Sequence, residues 1–270
     1  MLKPEDFFNL KDNPYKGLFE GSQYVWDALK GLRGYIENNI KPNVSGLRKG
    51  SPVINKTLVL YSGRVIESGF VIEILNKRLL VKKDGQLLDG ASIIYAGAVL
   101  MDDEISIGKG TVVEPGALIK GPTIIGNNTE IRQGAYIRGN VLVGDNCVVG
   151  HTTEMKSSAM LGGSKAGHFA YIGDSILGKV NLGAGTKLAN LKIIESGISL
   201  RINGKEYATG LRKFGAILAD GVETGCNSIT TPGTLLAKNV LLYPNATARG
   251  FCPANTIIKL RQTQQLKQRK

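Results

Sequence analysis

The chain has 270 residues, a formal net charge of +12 and 42% hydrophobic residues, so it is a folded globular chain with room for a sizeable core and not a disordered one. No apolar run approaches the ~18 residues that a membrane helix needs. The opening MLKPEDFFNLKDNP lacks the apolar core and cleavage site of a secretory leader, so the sequence predicts a cytoplasmic protein with no membrane partner.

The positive charges are scattered, apart from the closing LKQRK, and are not interleaved with aromatic residues. That argues against nucleic acid and leaves small phosphorylated ligands as partners for a basic surface. Cys147, Cys226 and Cys252 show no paired spacing and read as thiols in a reducing compartment.

Residues 1–50 read as an N-terminal helical segment. Ser22 can cap a helix that carries Val25, Trp26, Leu29, Leu32 and Ile36 on one face and stops near Pro42. That face should dock against the end of the domain that follows, with Trp26 in the core. Residues 51–260 form that domain. Its first part, 51–100, reads as strands (KTLVLYSGRVI, GFVIEIL, RLLVKKDGQLL, ASIIYAGAVL) making irregular first rungs.

From Ile107 a period of six takes over: Ile107, Val113, Ile119, Ile125, Ile131, Ile137, Val143, Val149, Met155 and Leu161. Two residues before each lie small or β-branched residues. Three residues after lie turn formers such as Gly110, Asn128 and Asn146. Each unit is a short strand and a turn, and one unit cannot bury its aliphatic residue alone, so the units must stack. Gly108, Gly126, Gly144 and Gly162 recur every 18 residues, so three hexads make one coil, with glycine at a corner expected to need φ > 0. The predicted fold is all-β, a parallel β-helix of triangular section. The pattern resumes at Ile217, Ile229, Leu235 and Leu241, and two excursions, 163–170 and 191–214, read as loops projecting from corners. The tail 261–270 is basic and reads as helical or loose.

Three segments carry a resemblance: TEMKSS, then GSKAGHFAYIGDS, then NLGAGTKLANLK. Together they resemble the acetyltransferase domain of bifunctional N-acetylglucosamine-1-phosphate uridylyltransferases and related sugar-1-phosphate nucleotidylyltransferases, within the hexapeptide-repeat acyltransferase superfamily. The likeness covers residues 90–255. It implies a left-handed β-helix and transfer of an acetyl group from acetyl-CoA to the amine of a hexosamine 1-phosphate, with no metal. His168 matches the family's general base, and an imidazole, ordinarily titrating near pH 6.5, suits removal of a proton from an ammonium. Asn190 matches an asparagine at the sugar and joins His168 in the catalytic set. Arg138 and Lys156 fall where the family binds the phosphate, a dianion suited to charge-assisted hydrogen bonds. Tyr171 and Lys213 match further substrate-binding positions. Ala184, Cys226 and Arg249 match the cofactor side, with an amide near Ala184 placed for an oxyanion.

The resemblance also implies a homotrimer with sites between chains. The family's N-terminal nucleotidylyltransferase domain has no counterpart here, which leaves a separate nucleotidylyltransferase as a candidate partner. A nucleotide sugar as acceptor, an acyl-carrier-protein donor, or a trimeric partner without catalysis remain the alternatives. His151 reads as a turn or subunit-contact residue. Two departures stand out. DSILGKVNLG is one residue shorter than the family pattern, which could tilt the coil beside His168, and Ala219 and Ala237 replace corner glycines.

Overall fold

The structure is a computed structural model that describes residues 2–75 and 78–269, with the Arg78 side chain left aside. Met1 of the predicted helical segment and Lys270 of the predicted tail lie outside the described residues.

The repeat builds a prism of three parallel sheets. Sheet 1 has eleven strands, of which Leu58–Tyr61 and Arg64–Ile66 are added antiparallel at its first edge, and sheets 2 and 3 have eight each. Each coil visits them in turn, as in Ser92–Ile94, Val99–Leu100 and Ile105–Ile107, then Val112–Val113 back in sheet 1. Sequence-equivalent residues stack: Ile119, Ile137, Met155, Ile172 and Leu188 form one inward column of sheet 2. All ten aliphatic residues from Ile107 to Leu161 are buried. At the corner between sheets 3 and 1 the small polar residues bond from coil to coil: the Thr111 hydroxyl donates to the Gly126 carbonyl at 2.7 Å and accepts from the Thr129 N–H at 3.1 Å. This satisfies polar groups that burial would otherwise penalise.

The corner glycines answer to a different constraint from the one expected. Of the four, only Gly162 has the expected positive φ, at +127; at the other corners it falls on Gly110, Asn128 and Asn146, and Gly163 also has it. Gly108 and Gly126 are needed because the next coil runs against them: a Cβ on Gly108 would lie 2.4 Å from the Gly126 carbonyl carbon. The fourth member of the series also slips. Val143 pairs with Met160, so Leu161 and not Gly162 follows Gly144 in the stack.

Relative to the 18-residue coil, three residues are lost over the next two coils. Tyr136 pairs with Glu154, 18 residues on. Glu154 pairs with Tyr171, 17 on, and Tyr171 with Lys187, 16 on. One is lost at the Ser157 corner, one at the equivalent Asp174 corner and one at Gly178–Val180, the last two inside the shortened stretch DSILGKVNLG. Parallel pairing nevertheless continues through it, from Lys165 to Asn181 and Ala166 to Leu182. The three losses shift the later phase by three residues, and the insertion preserves it, since Leu188 to Thr230 is 42 residues, seven whole hexads. Leu218, Thr230, Leu236 and Leu242 are buried in the columns, whereas Ile229 and Leu241, expected inside, are 38% and 37% exposed.

Three further expectations are revised. Residues 163–170 are not a loop: Lys165–His168 is a strand of sheet 1. Within 51–100, the segment Phe70–Leu87 forms its own three-stranded antiparallel sheet, because Phe70, Ile72 and Val81 have an apolar patch around Val59 and Ile93 to cover. Regular coils start at Ser92. The N-terminal helix runs Ala28–Asn39, after a 3-10 turn Val25–Asp27, and it docks on a prism face and not on its end. It lies over the sheet 3 strands Val141–Val143 and Ser158–Met160, whose outward Leu142 and Ala159 are fully buried. The insertion 191–214 is a hairpin, Ile198–Ile202 with Lys205–Leu211. Its Tyr207 packs edge-on against Trp26 at 6.1 Å and Tyr24 at 5.5 Å, so Trp26 is indeed a core residue. The described part of the tail beyond Leu260 has no helix and is exposed.

Candidate functional site

The corner between sheets 1 and 2 stacks Gln133, His151, His168, Ala184 and Cys226 along one edge of the prism. A ladder of amides ties successive coils: Thr152 N–H to Gln133 O, Phe169 N–H to His151 O, Gly185 N–H to His168 O, Asn227 N–H to Ala184 O. Coils in such a stack are about 4.8 Å apart, so His168 has His151 on one side and Ala184 on the other. His168 is exposed at the end of its strand, paired with His151 across the sheet. Among the described residues, the backbone N–H groups of Ala184 and Cys226 have no acceptor in the chain.

The two imidazoles differ in surroundings. His151 Nδ1 lies 3.0 Å from the Gln133 carbonyl, which can only accept, so Nδ1 carries a proton. Between the rings stands Phe169, 54% exposed, in edge contact with His151 at 5.3 Å and tilted against His168 at 6.1 Å. Phe169 has φ +54, where equivalent corners use Gly134, Thr152, Gly185 and Asn227. A bulky residue in that region is uncommon.

One corner, Phe169–Ala170, leads from His168 to Tyr171 and onto sheet 2. The outward side chains of that face form a polar network. Arg138 donates to Glu154 at 2.7 Å, which raises the guanidinium's pKa. Lys156 Nζ is 3.9 Å from Asp174 Oδ2, with the two side chains only 19% and 17% exposed. Asn190 Nδ2 donates to the same Asp174 oxygen, and Tyr171 Oη donates to Asn190 Oδ1 at 3.3 Å. Burial first, then the charges of Glu154 and Asp174, push the Tyr171 phenol above its ordinary pKa. Lys213 is exposed at the base of the hairpin, next to Phe214, whose N–H bonds Asn190 O at 2.9 Å.

The fold thus brings Arg138, Lys156, Tyr171 and Asn190 onto one face, with Lys213 beside it, and His168, Ala184 and Cys226 onto the adjoining edge. Arg249 stands apart: it follows the sheet 2 strand Thr247–Ala248, several coils beyond Lys156 and on the opposite edge of that sheet from Ala184. Sequence reasoning passed over Glu154, Phe169 and Asp174, although all three lie inside the quoted motifs and Glu154 and Asp174 are the carboxylates that fall between the cations. A hollow of about 970 Å³ opens at the corner between sheets 3 and 1, lined in part by Asn13, Lys165, Lys179 and Lys238, and it holds none of these site residues. Among the described residues no group of three or more His, Cys, Asp or Glu is arranged to hold a metal, and no helix is long and apolar enough to cross a membrane.

Residues 119–242 match the family model described as the GMPPB C-terminal domain. The chain is 38% identical over 99 residues to a bifunctional sugar-1-phosphate nucleotidylyltransferase/acetyltransferase of Sulfurisphaera tokodaii, a match covering 36% of this chain and 25% of that protein. It is 36% identical over 98 residues to the bifunctional protein GlmU of Methanococcus vannielii, covering 36% and 23%. The chain therefore spans about a quarter of the length of these relatives. Among solved structures, a hexapeptide transferase family protein from Anaplasma phagocytophilum aligns with a TM-score of 0.29 at 16% identity, covering 60% of this chain and 75% of that one. The stacked hexads form a parallel β-helix, and its central coils are similar in sequence to the GMPPB C-terminal domain and to part of the bifunctional sugar-1-phosphate nucleotidylyltransferase/acetyltransferases.

Proposed function

We propose that the chain is a CoA-dependent N-acetyltransferase whose acceptor is the amine of an amino-sugar phosphate, glucosamine 1-phosphate or a close relative. The observation that carries this reading is the adjacency of an imidazole edge and a cationic face, with a single two-residue corner between His168 and Tyr171.

Each residue then has a task. Lys156 and Arg138 neutralise the phosphate, with Glu154 and Asp174 keeping the two cations apart and oriented. Tyr171, Asn190 and Lys213 hold the sugar. Acetyl-CoA supplies the acyl thioester. His168 takes a proton from the acceptor ammonium, because only the free amine has a lone pair with which to attack. The nitrogen–carbon bond forms as the carbon–sulfur bond breaks, the imidazolium returns its proton to the departing thiolate, and the new amide nitrogen gives up its remaining extra proton to solvent. The unpaired N–H of Ala184, one coil from His168, suits the negative charge that develops on the thioester oxygen, with Cys226 one coil further along the same edge. Arg249 would reach this donor only from a different edge or a different chain.

The functional unit in this reading is a homotrimer with sites between chains. The chain's own helix covers part of sheet 3 and the small antiparallel sheet covers the first strands of sheet 1, whereas the outward positions of sheets 1 and 2 on the coils flanking the His168 edge are left for neighbours. The N-terminal segment 1–50, the β-helix domain 51–260 and the tail 261–270 are its working divisions, and the cytoplasm its compartment. Thiol release from acetyl-CoA, measured against a panel of amino sugars and their phosphates, tests the reaction. Turnover on none of them would overturn it. Light scattering tests the assembly, and a fully active monomer would refute it.

A further inference from the structure

We infer that Asp174 is a positioning residue that sets, through Asn190, the hydrogen-bond polarity of Tyr171, so that the Tyr171 oxygen receives a hydrogen-bond donor from the acceptor, a hydroxyl or amine of the sugar. The inference rests on the acyl-transfer reading of this face and adds a direction to it.

Counting donors along the relay gives that direction. An ionised carboxylate only accepts. Asp174 Oδ2 therefore fixes which end of the Asn190 amide faces it: the nitrogen. The amide oxygen is left facing the phenol, and Tyr171 spends its single O–H on it, at 3.3 Å. The remaining lone pairs of Tyr171 can only accept. Lys156 Nζ lies 3.9 Å from the same carboxylate oxygen, on the phosphate side of the relay.

The backbone is built to hold this chain of bonds. Asp174 N–H donates to Lys156 O at 3.0 Å, Asp174 O accepts from Gly215 N–H at 2.8 Å, and Asn190 O accepts from Phe214 N–H at 2.9 Å. The column that carries Lys120, Arg138 and Lys156 on earlier coils carries Gly173 here. A Cβ on Gly173 would stand 2.6 Å from Tyr171 Oη and 2.8 Å from Asn190 Nδ2, so the missing side chain is the space in which the phenol and the amide meet.

The test has one arm that does not depend on activity. In protein labelled with ¹⁵N at asparagine, one Asn190 side-chain N–H should resonate downfield and exchange slowly, and Asp174→Asn should abolish both properties. Absence of such a signal in the wild type, or its persistence in Asp174→Asn, overturns the inference. The kinetic arm is a double-mutant cycle. Asp174→Asn should raise the acceptor KM on the order of tenfold, about the worth of one hydrogen bond, leave the acetyl-CoA KM unchanged, and add nothing in a Tyr171→Phe background. Equal effects in both backgrounds overturn it. If Asp174→Asn does not fold, Tyr171→Phe alone decides: the Asn190 signal should stay downfield while the acceptor KM rises about tenfold, and an unchanged KM overturns the inference. Wild-type protein that acetylates no amino sugar refutes the functional reading, and the labelled amide still reports on the relay.

Discussion

His151 and His168 face each other across neighbouring strands of one sheet, one coil apart, yet only His151 has a ring nitrogen committed to a carbonyl, that of Gln133. If His168 is the base, His168→Ala should lower acetyl transfer by on the order of 10²–10⁴. The exposed position of His168 means that the melting temperature should hold. His151→Ala should cost less than about tenfold in rate, because its role is to brace Phe169. The reverse order of the two effects, read from steady-state rates, would move the base to His151.

Lys156→Ala should raise the KM for an amino-sugar 1-phosphate by roughly 10- to 100-fold, since a charged hydrogen bond is worth about 1.5–3 kcal/mol, and should leave the unphosphorylated sugar little changed. Arg138→Ala should have a smaller effect, because its guanidinium is already shared with Glu154 and is more exposed. Equal losses on both acceptors would make these residues surface charges.

Gly173→Ala separates site from scaffold. The atoms that a new Cβ would meet are the ends of the Tyr171 and Asn190 side chains, which can move aside. Folding should be spared, and acceptor binding should fall about tenfold, the scale of one lost hydrogen bond. Calorimetry and acceptor KM together check it.

Gly126→Ala should do the opposite. Its Cβ would meet the backbone of Gly144 and Asp145 within 2.7 Å, and it would displace the Asp145 carboxylate that accepts from Asn127 N–H and Tyr15 Oη. Urea unfolding should show a loss of about 1–3 kcal/mol or more. Gly167→Ala, with nothing within 4 Å of the new carbon, should change stability by less than ~0.5 kcal/mol.

Cys147 makes stability depend on alkaline pH. Burial pushes its thiol from 9.0 up to about 11. Below pH 9 both folded and unfolded forms hold the proton, so the contribution is fully present. From there to about pH 11 only the unfolded form loses it, and stability falls, by on the order of 2–3 kcal/mol for a shift of about two units. Tyr15, Tyr35, Tyr95 and Tyr171, also raised by burial, add their own decline at higher pH. Cys147→Ala should flatten the thiol's share, seen by comparing urea midpoints at about pH 8 and about pH 10.5, on either side of the thiol's ordinary range. An identical slope in both proteins would contradict the assignment.

The six-residue period from Ile107 to Met155 was legible in the sequence alone, because a solenoid repeats one environment and so repeats one residue type. The motif around His168 was legible for the same local reason: its spacing along the chain is a spacing along one coil. What the sequence left open was phase and partnership. Losing one residue at Ser157, one at Asp174 and one near Lys179 changes which residues stack, and only the hydrogen-bonded registers show that Met160 follows Val143 and that Leu218 and Leu242, not Ile229 and Leu241, point inward. The Trp26 helix has an evident apolar face, but a face does not say what it covers; the outward Leu142 and Ala159 of sheet 3 decided that. Asp174 and Asn190 lie 16 residues apart in the chain and touch only because the coil between them closes in that length. Local pattern determined the rungs and the chemistry each could carry, and the stacking of coils, a tertiary matter, decided which of those side chains meet.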